Sequence, residues 1–280
     1  QKNMKIVKKI SEIKEIVSNF KKIKKEINLI PTMGNIHAGH LSLLSKANKF
    51  DGINIVSIFV NPAQFNDEDD FNNYPNTFEA DIEILAKSNC NIIFAPSNNQ
   101  IYPDGIKYEK TVFKYRDILC DLYRLGHFDG VTTIVKILFK LIEPSKVFFG
   151  EKDFQQLKII EQLIFQNNLK INLIKCPSIR DSHGMSFSSR YSKFSKDEKS
   201  KFKKCAQIIN ANLLKLKRDF DHKILDNIKK ELRSYGISKI DYFEVRNEEN
   251  LSLSVKNESS RLFIAFYLNK VRVIDNFLLY

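Results

Sequence analysis

Short apolar runs alternate with segments of helical periodicity along residues 1–176, and few folds accommodate that alternation. The run INIVSIFV at Ile53–Val60 is nearly continuous in apolar side chains, which is typical of a strand covered on both faces. Strand–helix alternation at this spacing predicts a parallel sheet with helices on both faces. The predicted strands are Ile27–Ile30, Ile53–Val60, Asn91–Phe94, Lys146–Phe149 and Ile171–Ile174. The predicted helices are Leu41–Asn48, Thr77–Ser88, Val131–Ile142 and Phe154–Gln166.

The pattern changes after Cys176. A polar stretch at Pro177–Ser192 is rich in serine, which is typical of a loop at a domain boundary. Two helical and three strand-like segments follow, and Asn269-Lys270 could turn the last two into a hairpin. These segments are Lys196–Leu216, Asp221–Ser234, Ile240–Val245, Leu262–Leu268 and Val271–Ile274. The chain is therefore predicted to have an α/β domain at residues 1–176 and a smaller α+β domain at residues 177–280.

The composition excludes several classes of protein. A chain of 280 residues with 43% apolar and 28% charged residues can bury a core, unlike a disordered chain. No apolar run reaches the ~18–20 residues of a membrane span. The basic N-terminus, where Met4 follows Gln1–Asn3 and could be the native start, lacks the apolar stretch of a secretory signal. The four cysteines are too far apart for a zinc motif, so reduced thiols in a cytoplasmic protein are predicted.

The segment Pro31–His40, PTMGNIHAGH, follows a predicted strand and opens a predicted helix. The carboxyl edge of a parallel sheet is where ligands bind, and helix N-termini attract anions. Gly34 and Gly39 would let the backbone approach a phosphate closely. His37 and His40 can project from the same face of a turn and stabilise the charge that develops when a phosphoanhydride is attacked. Alternatively, the two histidines belong to the loop structure or to half of a metal site.

Three further segments carry polar side chains at strand ends or between the domains. Asn61 and Gln64 follow a predicted strand, where neutral amides can recognise hydroxyl and carboxylate groups. Within Gly150–Gln156, Lys152 is placed to meet a phosphate as a point charge. Phe187–Arg190 joins hydroxyls to an arginine and could clamp a phosphate. Each segment alone could equally be an ordinary polar turn.

Two further residues could have a functional role, but the residues around them give less support for one. Asp81, on a predicted helix, could help to hold a magnesium ion, although an exposed carboxylate has the same signature. His127 precedes the predicted helix Val131–Ile142 and is expected to be structural.

The motifs stand in a fixed order along nearly the whole chain. The blocks are PTMGNIHAGHLSLL, IFVNPAQF, NYPNTFEADIEIL, FAPSNNQIYPDG, GHFDGVTTIV, VFFGEKDFQQL, SSR, IDYFEVRNEENL and RLFIAFYLNKVRVIDN. In this order they resemble the pantothenate synthetase (pantoate–β-alanine ligase) family. The resemblance implies a Rossmann-like domain of the HxGH nucleotidyltransferase superfamily, a smaller C-terminal α+β lid domain and a homodimer. It also implies that pantoate and ATP, with magnesium, give pantoyl adenylate and pyrophosphate, after which β-alanine attacks to give pantothenate and AMP.

The resemblance assigns roles residue by residue. The implied catalytic residues are His40, as the proton donor, with His37, Lys152 and Arg190. Gln64 would contact both pantoate and β-alanine, and Gln156 would contact pantoate. The residues implied to bind ATP, which enters as a substrate, are Met33, Gly34, Asn35, Ile36, His37, Ala38, Gly39, His40, Gly150, Glu151, Lys152, Asp153, Ile179, Phe187, Ser188, Ser189 and Arg190.

Four positions depart from the family pattern. Phe187 stands where methionine is usual, and Leu125 replaces the proline of RPGHF. Asp121 stands where a small residue is common, and Tyr191 replaces an asparagine. None removes a charge from the implied chemistry, so we expect these residues to affect loop rigidity and nucleotide affinity rather than reaction type.

Other functions stay open on the sequence alone. A related HxGH enzyme could transfer AMP to a phosphorylated acceptor, although Gln64 and Gln156 favour a hydroxy acid. The net charge of +12 could serve an RNA-binding module. The lysines are scattered, however, and no anticodon-binding extension is evident. A non-catalytic homologue is a third alternative, although every implied catalytic position is occupied. The expected partners are small molecules and, as the resemblance implies, a second copy of the chain, and neither a nucleic acid nor a membrane.

Overall fold

The computed structural model of the protein describes residues 4–110, 112–218, 220–254 and 259–280, so Gln1–Asn3 lie outside the described residues. The chain forms two compact units. The first unit reaches Arg116 and also contains Arg124–Glu151 and Gln156–Pro177. The second unit contains Asp117–Tyr123, Lys152–Gln155 and Ser178–Tyr280.

Strands and helices alternate through the first unit, and the second unit ends in three strands. The strands are β1 (Lys5–Val7), β2 (Ile27–Thr32), β3 (Ile53–Ile58), β4 (Ile92–Phe94), β5 (Lys146–Gly150), β6 (Asn172–Cys176), β7 (Ile237–Asn247), β8 (Ser260–Leu268) and β9 (Val271–Leu278). The helices are α1 (Ile10–Lys22), α2 (Ala38–Ala47), α3 (Glu68–Asn72), α4 (Phe78–Ala86), α5 (Asn98–Ile101), α6 (Leu119–Tyr123), α7 (His127–Ile142), α8 (Phe154–Gln166), α9 (Lys196–Arg218) and α10 (His222–Ser234). Short 3-10 helices cover Pro62–Gln64, Glu151–Asp153 and Ser189–Lys193.

The first unit is built on a six-stranded parallel sheet in the order β1-β4-β3-β2-β5-β6. From β2 the chain proceeds outward through β3 and β4, then crosses to the other side of β2 for β5 and β6. The strand order therefore reverses between β2 and β5. In open α/β sheets, ligands bind outside the carboxyl ends of the strands at such a reversal.

The apolar strands form the centre of this sheet. Leu29 on β2 pairs with Ile55 on β3 and with Val147 on β5, and all three side chains are fully buried. Helix α7 contributes a long buried stripe that includes Leu138 and Ile142. Burial of both faces explains why these strands are nearly continuous apolar runs.

The second unit is built on an antiparallel sheet in the order β7-β8-β9. One face of this sheet shares a core with α9 and α10, in which Ile209, Leu232, Ile264 and Phe266 are buried. The opposite face carries Phe263, whose ring lies 5.8 Å from that of Phe154 in an edge contact. The short segment Lys152–Gln155 thus packs against this sheet.

The predicted fold class is confirmed, with corrections in detail. Strand β1 and helix α1 were not predicted, although Ile13 and Val17 of α1 stand four apart and are buried. The stretch Pro177–Ser192 is not wholly a loop, because Arg180 forms an antiparallel bridge with Ser186 and a 3-10 helix begins at Ser189. Within the described part of the chain, no helix has both the length and the apolarity to cross a membrane.

Candidate active site

The loop between β2 and α2 makes a sharp turn directly after the strand. Gly34 and Asn35 have φ values of 81° and 52°, a backbone conformation that glycine and asparagine tolerate best. Thr32 closes the turn, because its Oγ1 donates to the Ser57 carbonyl at 2.8 Å and accepts from the Gly34 N–H at 3.2 Å. Met33–His37 are thereby held at the carboxyl end of β2, next to the reversal in strand order.

The Asp81 carboxylate, on α4, holds this loop through two hydrogen bonds to its backbone. Its Oδ2 accepts from the Asn35 N–H at 2.9 Å and its Oδ1 from the Ile36 N–H at 2.7 Å. A Cβ on Gly34 would lie 3.0 Å from Asp81 Oδ2, so a larger residue would be crowded there. Asp81 is only 2% exposed, which corrects the exposed-carboxylate alternative. Both of its oxygens accept hydrogen bonds from the loop, so the structure gives Asp81 a loop-holding role, and its magnesium contact stays a prediction.

We expect Asp81→Asn to loosen the loop. The substitution replaces one of two acceptors with a donor that faces a backbone N–H. Hydrogen bonds to a charged group contribute about 1.5–3 kcal/mol each, so the free energy of unfolding should fall by that order. Chemical denaturation measures the change. Glu79→Gln, which neutralises an exposed carboxylate in the first turn of the same helix, should leave stability nearly unchanged. Equal stability of the two variants would contradict the role given to Asp81.

His37 and His40 stand together at the start of α2, with ring centroids 4.0 Å apart. His37 caps the helix, because its Nδ1 accepts from the Gly39 N–H at 3.1 Å. His40 Nδ1 accepts from the His37 N–H at 3.4 Å, which completes a capping box. An accepting Nδ1 carries no proton, so the proton of each neutral ring lies on Nε2. Each imidazole is therefore a donor through Nε2, at a helix end whose dipole favours anions.

Gln64 lies in the 3-10 turn that follows β3. The buried Asn61 begins this turn, and its Nδ2 donates to Gln64 Oε1 at 3.0 Å and to the Gly130 carbonyl at 3.1 Å. Tyr102 donates its hydroxyl to Asn61 Oδ1 at 2.6 Å, and burial raises the pKa of Tyr102, which keeps that proton in place. Because Asn61 donates to Oε1, the orientation of the Gln64 amide is fixed, and its NH₂ group can serve as a donor to a ligand.

A second pair of residues holds the Gln64 backbone. His127 Nδ1 lies 2.8 Å from the Gln64 carbonyl, and Arg124 Nη2 donates to the same oxygen at 3.3 Å. Arg124 Nη1 also lies 3.1 Å from His127 Nε2. Since the guanidinium can only donate, Nε2 accepts and Nδ1 carries the proton. The predicted structural role of His127 thus has a specific form: it fixes the position of Gln64. The contribution of Arg124 was not predicted.

We expect His127→Leu to lower kcat/KM for the acid that Gln64 is predicted to bind. The substitution removes the donor that holds the Gln64 carbonyl, and a shift of ~1 Å at such a site can cost about 10²-fold. His127→Asn is the matched variant, since an amide can place an N–H near the former Nδ1 position. It should recover much of the loss. Steady-state kinetics with the acid as varied substrate make the test. Equal kinetics for the leucine variant and the parent protein would contradict this role.

Gln156 lies on α8, which follows β5. Because β2 lies between β3 and β5 in the sheet, Gln64 and Gln156 follow the two strands that flank the histidine loop. Gln156 is half-buried, as is Gln64. Both glutamines belong to the first unit. The topology therefore brings the two predicted acid-binding residues to the same edge of the sheet as His37 and His40.

Lys152 follows the carboxyl end of β5 within a 3-10 turn, Glu151–Asp153. Its side chain is 21% exposed, and its Nζ lies 3.8 Å from Asp153 Oδ2. The long separation and partial exposure make this a weak ion pair. Lys152 can therefore exchange this contact for that of a ligand phosphate at little cost.

Two other predicted ATP-binding residues of the second unit, Ile179 and Phe187, lie on the two sides of a small hairpin. The Phe187 N–H donates to the Ile179 carbonyl at 3.3 Å, which brings these two predicted contacts together. Ser188 caps the following 3-10 helix through its Oγ, which accepts from the Arg190 N–H at 3.3 Å. Ile179 is 40% exposed. Tyr191 is packed against Phe202 with ring centroids 4.7 Å apart, which accounts for an aromatic residue at this departure from the family pattern.

Thiol chemistry has no support in the structure. All four cysteines are buried and none forms a disulfide. Burial raises the pKa of Cys90 to about 12 and those of Cys176 and Cys205 to about 11. These three thiols therefore stay protonated near neutral pH, and a protonated thiol is a poor nucleophile.

The fold and the histidine loop define a Rossmann-like nucleotide-binding protein of the HxGH type. The family model for pantoate–β-alanine ligase matches residues 5–278. Curated pantothenate synthetases are similar over 98% of both chains, at 38% identity in Caldicellulosiruptor bescii and 40% in Buchnera aphidicola. The chain belongs to the pantoate–β-alanine ligase family.

Solved structures of the family agree with this fold. The Francisella tularensis pantoate–β-alanine ligase, crystallised with a βγ ATP and β-alanine, is 35% identical and superposes with a TM-score of 0.86. The match covers 99% of this chain and 98% of that chain. The Thermus thermophilus pantothenate synthetase is 27% identical, with a TM-score of 0.89 over 99% and 100% of the two chains. The family resemblance seen in the sequence is confirmed.

Proposed function

We propose that the protein condenses pantoate with β-alanine at the expense of ATP, through a pantoyl adenylate. The observation that carries this proposal is the His37–His40 pair at the N-terminus of α2, at the strand-order reversal of the sheet. Two imidazole donors beside a helix N-terminus suit a polyphosphate. Membership of the family supports the choice of acid and amine.

The first step requires a carboxylate to attack the α-phosphate of ATP, and both groups are negatively charged. Lys152 and Arg190 would offset this charge as cations. His37 and His40 would donate from Nε2 to phosphate oxygens, with His40 as the proton donor. The bond from the α-phosphorus to the bridging oxygen breaks, and pyrophosphate leaves with that oxygen. Donors already in position at developing charge lower the barrier most effectively.

Gln64 and Gln156 would bind pantoate without adding charge. The Gln64 NH₂ group suits a carboxylate or hydroxyl oxygen, and its position is fixed from the side chain by Asn61 and from the backbone by His127. Gln64 would also contact β-alanine in the second step. There the neutral amine attacks the acyl carbon, AMP leaves, and the amine loses a proton.

The residues that would bind ATP fall into four stretches, with roles that follow the family. The proposed contacts are Met33, Gly34, Asn35, Ile36, His37, Ala38, Gly39, His40, Gly150, Glu151, Lys152, Asp153, Ile179, Phe187, Ser188, Ser189 and Arg190. The charged side chains and the two imidazoles would contact the phosphates.

Magnesium would enter with ATP as part of the substrate. Among the described residues, no group of three or more His, Cys, Asp or Glu side chains could hold a metal ion. The phosphates would supply most of the ligands for magnesium, and Asp81 is the predicted protein contact. We further propose a homodimer in the cytoplasm that acts without a nucleic acid or membrane partner. Light scattering at several protein concentrations tests the dimer.

The complete reaction is tested with pantoate labelled by ¹⁸O in its carboxylate. Incubation with ATP, magnesium and β-alanine should yield pantothenate and AMP in equal amounts, and the AMP should carry one ¹⁸O atom. The label reports the bond between the pantoate carboxylate and the α-phosphate. Label appearing in phosphate with ADP as the nucleotide product would mean attack on the γ-phosphate and would overturn the proposal. If a phosphorylated acceptor is adenylated instead of pantoate, the site serves the alternative reaction.

A further inference from the structure

Two neighbouring residues of β9 hold the two segments that carry the proposed ATP contacts of the second unit. Asn276 Nδ2 donates to the Lys152 carbonyl at 2.9 Å. Asp275 Oδ2 accepts from the Ser186 N–H at 2.8 Å, just before Ser188. Successive side chains of a strand point to opposite faces of the sheet. One strand therefore anchors both segments, one on each face.

The orientation of the Asn276 side-chain amide is fixed by a second hydrogen bond. Arg261 Nη1 donates to Asn276 Oδ1 at 2.7 Å, so the NH₂ group is the one that faces Lys152. The Arg261 guanidinium also lies 4.3 Å from the centre of the Phe154 ring. Asn276 is 1% exposed and Arg261 is 5% exposed. The chain around Lys152 is thus held at residue 152 by a hydrogen bond and at residue 154 by packing.

Asp275 is also held in place by more than one hydrogen bond. Arg180 Nη1 donates to Asp275 Oδ2 at 3.0 Å and to the Gly184 carbonyl at 2.9 Å. Arg180 Nη2 donates to the Asn276 carbonyl at 2.7 Å. The hairpin that leads to Ser188 is therefore tied to β9 through Arg180 as well as through the Ser186 backbone. The Asp275 side chain is fully buried, which strengthens these charge-assisted contacts.

We propose that Asn276 and Asp275 are positioning residues for ATP, which act through the backbone at Lys152 and through the hairpin before Ser188. This inference rests on the proposed function, because it assumes that these two segments bind the nucleotide. A lysine contributes through a long flexible side chain, so the placement of its backbone decides which phosphate oxygens it reaches. Asn276 and Asp275 belong to the second unit, whereas the proposed acid-binding glutamines belong to the first.

Asn276→Asp isolates the contact to Lys152. Aspartate has the same size and can still accept from Arg261, but it has no donor for the Lys152 carbonyl. The KM for ATP in pantoate-dependent pyrophosphate exchange should rise by about 10- to 100-fold, whereas the KM for pantoate should not change. The control is Asn269→Asp at the turn between β8 and β9. It removes the same kind of bond, from Asn269 Nδ2 to Glu198 Oε1, at an exposed site. Its KM for ATP should equal that of the parent protein.

A merely structural role would give a different result. It would lower the melting temperature or the fraction of active protein, and would leave the KM for ATP unchanged or move both KM values together. Either outcome for folded Asn276→Asp overturns the inference. If that variant does not fold, Asp275→Asn is measured instead, and the same selective rise in the KM for ATP is expected. Absence of exchange in the parent protein would count against the proposed function, which separates the two failures.

Discussion

Replacing Lys152 with methionine is expected to lower the rate of pantoate-dependent pyrophosphate exchange by about 10²–10³-fold, which is typical for removal of one positioned charge-stabilising group. Methionine keeps much of the length and apolar stem of lysine but has no charge. Lys152 makes only a 3.8 Å contact with Asp153, so the fold loses little when the cation is removed. The loss should therefore appear in the rate and not in the melting temperature.

Two control variants separate the effect of the net charge from the effect of a cation at residue 152. Lys14→Met removes an exposed lysine of α1 and lowers the net charge by the same amount, so it should leave exchange unchanged. Lys152→Arg keeps the charge with a different geometry and should retain more activity than the methionine variant. Full exchange activity in Lys152→Met would contradict the proposed role of this residue in the chemistry.

Gly130→Ala is expected to damage both stability and activity. A Cβ at this position of α7 would lie 2.1 Å from the Ala63 carbonyl oxygen and 2.6 Å from the Gln64 nitrogen, and both are backbone atoms. Alanine in a helix normally stabilises by about 1 kcal/mol relative to glycine. Here the clash should reverse the sign, with a loss of about 1–3 kcal/mol in the free energy of unfolding. The displaced turn should also lower kcat/KM for pantoate by about 10²-fold.

Denaturation and steady-state kinetics on the same preparation test this prediction. Lys140→Ala, at an exposed position in the same helix, supplies a control for the change in helix propensity. It should stay within about 0.5 kcal/mol of the parent protein, as surface substitutions generally do. A Gly130→Ala variant more stable than the parent protein would show that the turn at Gln64 can move away without cost. The account of how α7 positions that turn would then be wrong.

Much of the site could be predicted because each segment is local. The histidine loop is a contiguous stretch between a strand and a helix, so sequence alone predicts that His37 and His40 share a turn. The contacts that support the segments come from distant parts of the chain. Asp81 holds a loop 45 residues away, and His127 holds Gln64 from 63 residues away. No periodicity predicts such pairings, because they depend on which strands lie side by side.

In the fold, too, elements with a clear local sequence pattern could be predicted, whereas those that depend on contacts distant in sequence could not. The parallel sheet was predicted from its long apolar strands, and β3 and β5 lie where their apolar runs predicted them. Strand β1 has only three residues and pairs with β4, so no local pattern distinguishes it from a basic terminus. The segment Lys152–Gln155 packs with the C-terminal sheet although it precedes that sheet by more than 80 residues. Three-dimensional contacts, such as those of Asn276 and Arg261, reveal this placement.

The most direct test of the central claim is the exchange of labelled pyrophosphate into ATP, with and without pantoate and in the absence of β-alanine. A pantoyl adenylate formed reversibly requires that label enter ATP only when pantoate is present, because pantoate must be adenylated before pyrophosphate can return. Binding of ATP by the same folded preparation is measured in parallel. Pantoate-dependent exchange is the predicted result. Folded protein that binds ATP but shows no exchange with pantoate would contradict the assignment of this site to acyl adenylation.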